Sequence, residues 1–172
     1  TYNEAVTILN NTVQALLKED NPFSGVLYGG FIKTNKGVKV IEYNARFGDP
    51  ETECVLNNLS SDLVQHILDL LENKPFVMSF KKTTSVGLVL SAPGYPLSYQ
   101  KDIDLTSYLL LPLKMLHMQT KKSNDIVLSN GGRVLFILSE GDNAQEGFNK
   151  IYSILNKQET KLLHYRHDLN NY

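Results

Sequence analysis

VKVIEYNARFGDPETE, residues 38–53, changes period midway, and that change decides the reading of the chain. Up to Asn44 apolar and polar residues alternate as on a strand. Ala45 to Pro50 has loop composition, and Pro50 is placed to open a helix at its first turn. On the strand Glu42 and Asn44 point the same way, about 7 Å apart. A carboxylate and an amide oxygen so placed can hold one hard cation or two neighbouring ones. Mg²⁺ at nucleotide sites takes one or two protein groups plus phosphate oxygens. Arg46 follows at the end of the same face, with a planar fork suited to a carboxylate or a phosphate. Gly48 admits backbone angles that other residues avoid, so a sharp turn can aim Asp49 and Glu51 at the same pocket. An ion-pair network closing the loop is the alternative reading of these residues.

Outward from this stretch the pattern is mixed. Upstream, Gly25 to Asn44 reads as a β-hairpin with its turn at Asn35-Lys36-Gly37. Before it, residues 4–18 read as an amphipathic helix on Val6, Leu9, Val13, Leu16 and Leu17, ended by Asn21-Pro22. Thr1 and Glu4 have capping-box spacing, although the helix can equally have begun further upstream. Downstream, Thr52 to Leu59 reads as a short helix. Ser61 is expected to cap another, with Leu63, Val64, Ile67, Leu68 and Leu71 as its buried stripe. Residues 73–83 mark the expected boundary. Beyond them Ser85 to Ser91, Tyr108 to Met118, Ile126 to Ser129 and Arg133 to Ser139 read as strands, and Asn143 to Leu155 as a closing helix. The fold class is α+β, with two unequal parts.

Composition narrows the function. The 172 residues are 42% hydrophobic and 20% charged, and 17 Lys+Arg against 18 Asp+Glu leave a net charge of −1. That balance argues against a nucleic-acid partner held by bulk charge. The single cysteine, Cys54, excludes an internal disulfide or a multi-cysteine metal site and reads as a small core residue. No run approaches the length of a membrane span, so no membrane partner is expected. No secretory leader is visible, and a cytoplasmic location is expected. A chain that starts in a helical pattern without an initiator Met is expected to be a piece of something larger.

The run Ile41 to Glu51, IEYNARFGDPE, closely resembles the signature of the phosphoribosylamine–glycine ligase (glycinamide ribonucleotide synthetase) family, ATP-grasp enzymes of purine biosynthesis. Gly25 to Gly30 is similar to the family's strand leading into the hairpin. Gly94-Tyr95-Pro96 and Gly131-Gly132-Arg133-Val134-Leu135 resemble segments of its small C-terminal domain, and His164 to Asp168 resembles its ending. The resemblance implies the C-terminal part of an ATP-grasp domain, residues 1–80, followed by a small mostly-β domain, residues 81–172. It implies an amide-bond ligase. ATP phosphorylates the carboxylate of glycine, and the amine of 5-phosphoribosylamine attacks the acyl phosphate, giving glycinamide ribonucleotide, ADP and phosphate.

By the same resemblance Glu42 and Asn44 bind Mg²⁺ (or Mn²⁺) that bridges the phosphates of ATP. Arg46 stabilises the acyl phosphate or the tetrahedral intermediate, Asp49 and Glu51 orient an amine, and Gly132 and Arg133 contact substrate. The resemblance covers less than half of a family member. The N-terminal portion of the same polypeptide is therefore an expected partner, and the chain alone is expected to be inactive. Three positions depart from the family pattern: Glu53 stands where Gln or Met is usual, Leu97 where Gly is common, and His117-Met118-Gln119-Thr120 where a small-residue turn follows a His. Two rivals remain. A biotin-carboxylase-like or other carboxylate–amine ligase would lack the Phe-Gly-Asp-Pro-Glu continuation, and a non-catalytic packing module would not be expected to keep Glu42, Asn44 and Arg46.

Other residues read as structural. His66 is expected at a surface or boundary, and His117, His164 and His167 lack zinc spacing. Lys81-Lys82 and Lys121-Lys122 read as solvated loop charges, and Tyr95 to Tyr99 as a loop packed by its own rings.

Overall fold

β1 (Tyr28–Thr34) and β2 (Gly37–Asn44) pair antiparallel. Their turn is closed by Thr34, whose Oγ1 donates to the Gly37 carbonyl at 2.8 Å and accepts from Lys36 N–H, while Gly37 takes φ +88°, where glycine is favoured. The pairing is not a plain alternation. Gly30 opposes Glu42 and Phe31 opposes Val40, which leaves Ile41 as an extra residue, a β-bulge. The bulge shifts the alternation by one, so Val38 comes to line a cleft with Ile8 of the preceding helix while Glu42 and Asn44 face elsewhere.

That helix, α1 (Tyr2–Lys18), starts two residues earlier than the periodicity gives, and Thr1 makes no side-chain capping bond. It is tied to the hairpin by the hydroxyls of Thr12 and Tyr43, 2.8 Å apart. The structure is a computed structural model that describes residues 1–158 and 162–171. It divides into two compact units, residues 1–52 with 62–78 and residues 53–61 with 79–172.

α2 (Glu51–Asn58) starts one residue before the expected Thr52, directly after the Asp49-Pro50 bond, which is cis. α3 (Leu63–Leu71) is capped by Asp62 rather than by Ser61. The Asp62 carboxylate accepts from Val64 N–H at 2.8 Å and Gln65 N–H at 3.1 Å, whereas the Ser61 hydroxyl accepts from Ser79 N–H. The stripe expected to be buried is not. Val64, Ile67, Leu68 and Leu71 are all exposed, and Leu63, His66, Asp69 and Leu70 are half-buried, with His66 against the ring of Phe76.

The second unit is built on a three-stranded antiparallel sheet in the order β3 (Thr84–Ser91), β7 (Arg133–Gly141), β4 (Lys114–His117). α5 (Ala144–Leu155) packs on β3 and β7, with Asn143 accepting from Glu146 N–H at its start. Leu88, Leu90, Leu105, Tyr108, Val134, Leu135, Ile137, Ile151 and Leu155 are enclosed, at most 1% exposed. The expected strand from Tyr108 to Met118 is instead a helical turn, α4 (Thr106–Leu109), followed by β4. Asp104 turns the chain by accepting from Thr106 N–H at 2.8 Å, and the Tyr108 hydroxyl is anchored by Leu163 N–H at 2.9 Å. Lys121 and Lys122 lie not on a loop but on β5 (Thr120–Ser123), paired with β6 (Ile126–Ser129), where they bind Asp102 and Asp125. No helix among the described residues is long and apolar enough to cross a membrane.

Candidate active site

The register of the hairpin brings the chemistry together. Tyr28 opposes Asn44 and Gly30 opposes Glu42, so these four share one end of the ribbon. Gly30 leaves the space that Glu42 uses: a Cβ there would lie 3.2 Å from Glu42 Cγ. Asn44 Nδ2 donates to Glu42 Oε1 at 3.0 Å. Glu42 is exposed and Asn44 half-buried.

Beyond the strand the chain turns through Arg46 to Glu51. The Arg46 guanidinium donates to the Phe47 carbonyl at 2.7 Å, which pins its stem along the turn. Gly48 is buried, and its φ is not among the positive ones, so the turn does not need glycine for its backbone angles. It needs glycine for space. A Cβ at 48 would stand 2.6 Å from Glu51 Oε2 and 3.4 Å from Tyr28 Cδ2. The Glu51 carboxylate thus folds back over Gly48, and the Tyr28 hydroxyl donates to Glu51 Oε1 at 3.2 Å. Thr52 N–H donates to the Gly48 carbonyl at 3.1 Å, tying the first turn of α2 to the loop. Asp49 is exposed on this turn.

Tyr28 is the member that the sequence did not single out. Burial, then the charge of Glu51 and its hydrogen bond, then the charge of Glu42 raise its pKa above the ordinary phenol value. Both carboxylates therefore act on one hydroxyl, and that hydroxyl stays protonated as a donor. Its only sequence signal is position, directly opposite Asn44, which becomes visible once the register is known.

The donor set fits a hard cation. Turned to present its oxygen, the Asn44 amide forms with Glu42 a two-oxygen edge of the kind Mg²⁺ accepts. No group of three or more His, Cys, Asp or Glu among the described residues could hold a metal by itself. A cation here would need phosphate oxygens and water to complete its shell.

Gly132 and Arg133 belong to the second unit. Gly132 is buried beneath the ring of Tyr95, whose Cδ2 would lie 2.1 Å from an added Cβ, and its carbonyl accepts from Ala92 N–H. Arg133 is half-buried at the start of β7, and its carbonyl accepts from Gln119 N–H. Tyr95 and Tyr99 stand as a tilted ring pair, centroids 6.2 Å apart. Cys54 is half-buried on α2.

Comparison with known proteins gives a consistent result. Residues 1–52 match the ATP-grasp (A) domain of phosphoribosylglycinamide synthetase, and residues 85–171 match its C domain. The phosphoribosylamine–glycine ligase of Streptococcus pneumoniae serotype 4 is 39% identical over 166 residues, 95% of this chain and 40% of that protein. That of Halalkalibacterium halodurans is 40% identical over 164 residues, 94% of this chain and 38% of that protein. The crystal structure of the Thermotoga maritima phosphoribosylamine–glycine ligase superposes with a TM-score of 0.82 at 26% identity, covering 98% of this chain and 42% of that one. The chain thus spans about 40% of the length of the curated relatives it matches.

Proposed function

Because the chain belongs to the phosphoribosylglycinamide synthetase family, we propose that it supplies one wall of the nucleotide site of an ATP-dependent ligase. That ligase joins glycine to 5-phosphoribosylamine and releases ADP and phosphate, in the cytoplasm. The observation that carries this reading is the Glu42–Asn44 pair, held at 3.0 Å beside Tyr28 and Glu51. The domain division near residue 80 and the need for a further N-terminal portion are part of the same proposal.

Glu42 and Asn44 would hold a divalent cation, Mg²⁺ or Mn²⁺, against the phosphates of ATP. Such a cation supplies Lewis-acid neutralisation of the charge that builds on the transferring phosphoryl group. Arg46, anchored through the Phe47 carbonyl, keeps a fixed positive charge at the end of this edge, where an acyl phosphate or the oxyanion derived from it is stabilised without reorganisation. Asp49 and Glu51 offer carboxylates to an ammonium or amine. Glu51 does so from a position that the Tyr28 hydroxyl holds and the missing Cβ of Gly48 leaves open. Gly132 and Arg133 are assigned to substrate contact in the second unit.

The test is ADP release by the longest polypeptide that contains this chain. It is run with glycine and freshly generated phosphoribosylamine, omitting each in turn. ADP formation that needs both and falls about 100-fold or more in Glu42→Ala supports the proposal. Turnover unaffected by Glu42→Ala removes the metal role, and turnover with another carboxylate moves the substrate to a rival ligase.

A further inference from the structure

Gly131 and Gly132 precede β7, and neither takes a positive φ, so their backbone angles do not call for glycine. What they supply is space. The three heavy atoms nearest a Cβ built on Gly132 all belong to the Tyr95 ring, and its Cε2 would lie 2.6 Å away. The three nearest a Cβ on Gly131 all belong to Gln119. Each glycine is thus a seat for one side chain. Tyr95 is brought to its seat by a closed loop. The Gly132 carbonyl accepts from Ala92 N–H at 2.8 Å, the Ala92 carbonyl from Tyr95 N–H at 3.2 Å, and the Gly94 carbonyl from Leu97 N–H at 3.1 Å. Gly94 takes φ +90°, and a Cβ there would overlap the Ser98 carbonyl oxygen, so the tightest point of the loop requires glycine. The ring is therefore fixed from below. Gly132 is buried while Tyr95 is 42% exposed, so a ligand approaching this corner of the second unit meets the ring before the glycine.

We propose that Tyr95 is the group that touches substrate at this corner and that Gly132 serves by seating it. The substrate contact assigned to Gly132 is then made by the ring that covers it. A ring already held in place loses little freedom on binding, and it pairs an apolar face with a phenolic hydroxyl. That combination matches a furanose, whose C–H face lies on the ring while one sugar hydroxyl exchanges a hydrogen bond with the phenol. Two substrates of the ligase carry a ribose. The phosphates of ATP are assigned to the Glu42–Asn44 edge in the first unit, so the sugar at Tyr95 is that of phosphoribosylamine. The inference rests on the ligase reading for the identity of that sugar.

The experiment compares KM for each substrate in the longest polypeptide that contains the chain. Tyr95→Ala should raise KM for phosphoribosylamine about tenfold. Tyr95→Phe, which keeps the packing and loses the hydroxyl, should raise it about threefold. KM for ATP and for glycine, and kcat, should stay within about twofold of the parent. Gly132→Ala should match Tyr95→Ala by displacing the ring, and the double variant should be no worse than either. A further loss in the double variant would make Gly132 itself the contact and overturn the proposal. So would a KM for phosphoribosylamine that neither Tyr95 variant moves, the result expected of a ring covered by the rest of the polypeptide. A rise in KM for ATP instead would place the ring on the nucleotide sugar and overturn it too. If Tyr95→Ala lowers the melting temperature, Tyr95→Phe decides. Calorimetric titration with ribose 5-phosphate separates this inference from the ligase reading. If the parent releases no ADP, the reading fails, whereas binding of ribose 5-phosphate that weakens about tenfold in Tyr95→Ala still supports the site. Binding that is absent in the parent, or equal in the two, overturns it.

Discussion

In the second unit the apolar residues of β3, β7, β4 and α5 close over one another, and Leu90, Leu105, Val134, Leu135 and Ile137 show no exposed surface. In the first, Val38 is the single buried hydrophobic among the described residues, while Ile32, Ile41, Val64, Leu68, Leu71 and Val77 stand in solvent. The sequence periodicity of the two regions is alike, so the contrast is one of partners and not of patterning. A sheet of three strands covered by a helix can satisfy its own inner face. A two-stranded ribbon with one helix against it cannot, and isolated hairpins are marginal in water for that reason. The candidate site sits on the unit with the weaker core of its own, where its geometry depends on close local devices such as Tyr28 and Gly48.

The largest effect expected from this contrast is a stability difference between equivalent truncations. Leu90→Ala should cost about 2–5 kcal/mol, because the enclosed site cannot collapse around the lost atoms. Leu68→Ala in the same 172-residue chain should stay within about 0.5 kcal/mol of the parent. Urea titration followed by far-UV circular dichroism measures both. Equal losses would mean that the first unit has a core, and the contrast would break.

Next in size is Gly48→Ala, which tests whether the site depends on space rather than on backbone freedom. The added Cβ meets the far end of Glu51, a group that can swing away, so stability should change by about 0.5 kcal/mol or less. The displaced carboxylate then loses the Tyr28 hydrogen bond. Turnover of the longest polypeptide containing this chain should fall about tenfold or more with unchanged unfolding. Loss of stability in step with activity would point to backbone strain instead.

Much of this was legible in the residues themselves, and the failures have physical causes. The hairpin, the helix after Pro50 and the closing helix follow from period and turn chemistry. So does the shared face of Glu42 and Asn44, because neither residue depends on a distant partner. Burial of the α3 stripe was not legible: periodicity reports which residues are apolar, not whether anything arrives to cover them. The run from Tyr108 to Leu113 reads as a strand by hydropathy, yet Asp104 makes its start helical through one side-chain bond. β5 escaped notice because Thr120 to Ser123 is polar and is held by pairing to β6 and by ion pairs. Tyr28 escaped because its role is a matter of register, and the bulge at Ile41 alters that register.

A smaller pair of changes sharpens the comparison by removing the same chemistry from each unit. Asn143 and Asp62 both cap helices through side-chain oxygens. Asn143→Ala should lower the stability of the second unit by about 1 kcal/mol, since α5 is part of its cooperative core. Asp62→Ala breaks a cap on a helix that packs on little. It should leave the main unfolding transition in place and speed amide exchange along α3, which unfolds locally. A shift of the main transition by Asp62→Ala would show that α3 is coupled to a core after all.

The smallest effect distinguishes the units by their response to pH. Glu140 on β7 accepts from Asn57 and, more weakly, from Lys81 and Thr83, and the Asn57 hydrogen bond first and Lys81 after it hold its carboxyl below the usual carboxylate value. A folded pKa below the unfolded one means that the stabilisation is present above the ordinary carboxylate value and is lost as pH falls through the lowered one. The group is half-exposed, so its worth at neutral pH is less than about 1 kcal/mol. Glu140→Gln should therefore leave the midpoint at pH 7 nearly unchanged and make the acid side of the stability profile shallower. Tyr28 in the first unit has the opposite sign: its raised pKa stabilises below the ordinary phenol value and is lost as pH rises through the raised one. Tyr28→Phe should accordingly leave the acid side untouched. If Glu140→Gln left the acid slope unaltered, the polar clamp on Asn57 would contribute nothing to the second unit, and its stability would rest on the apolar core alone.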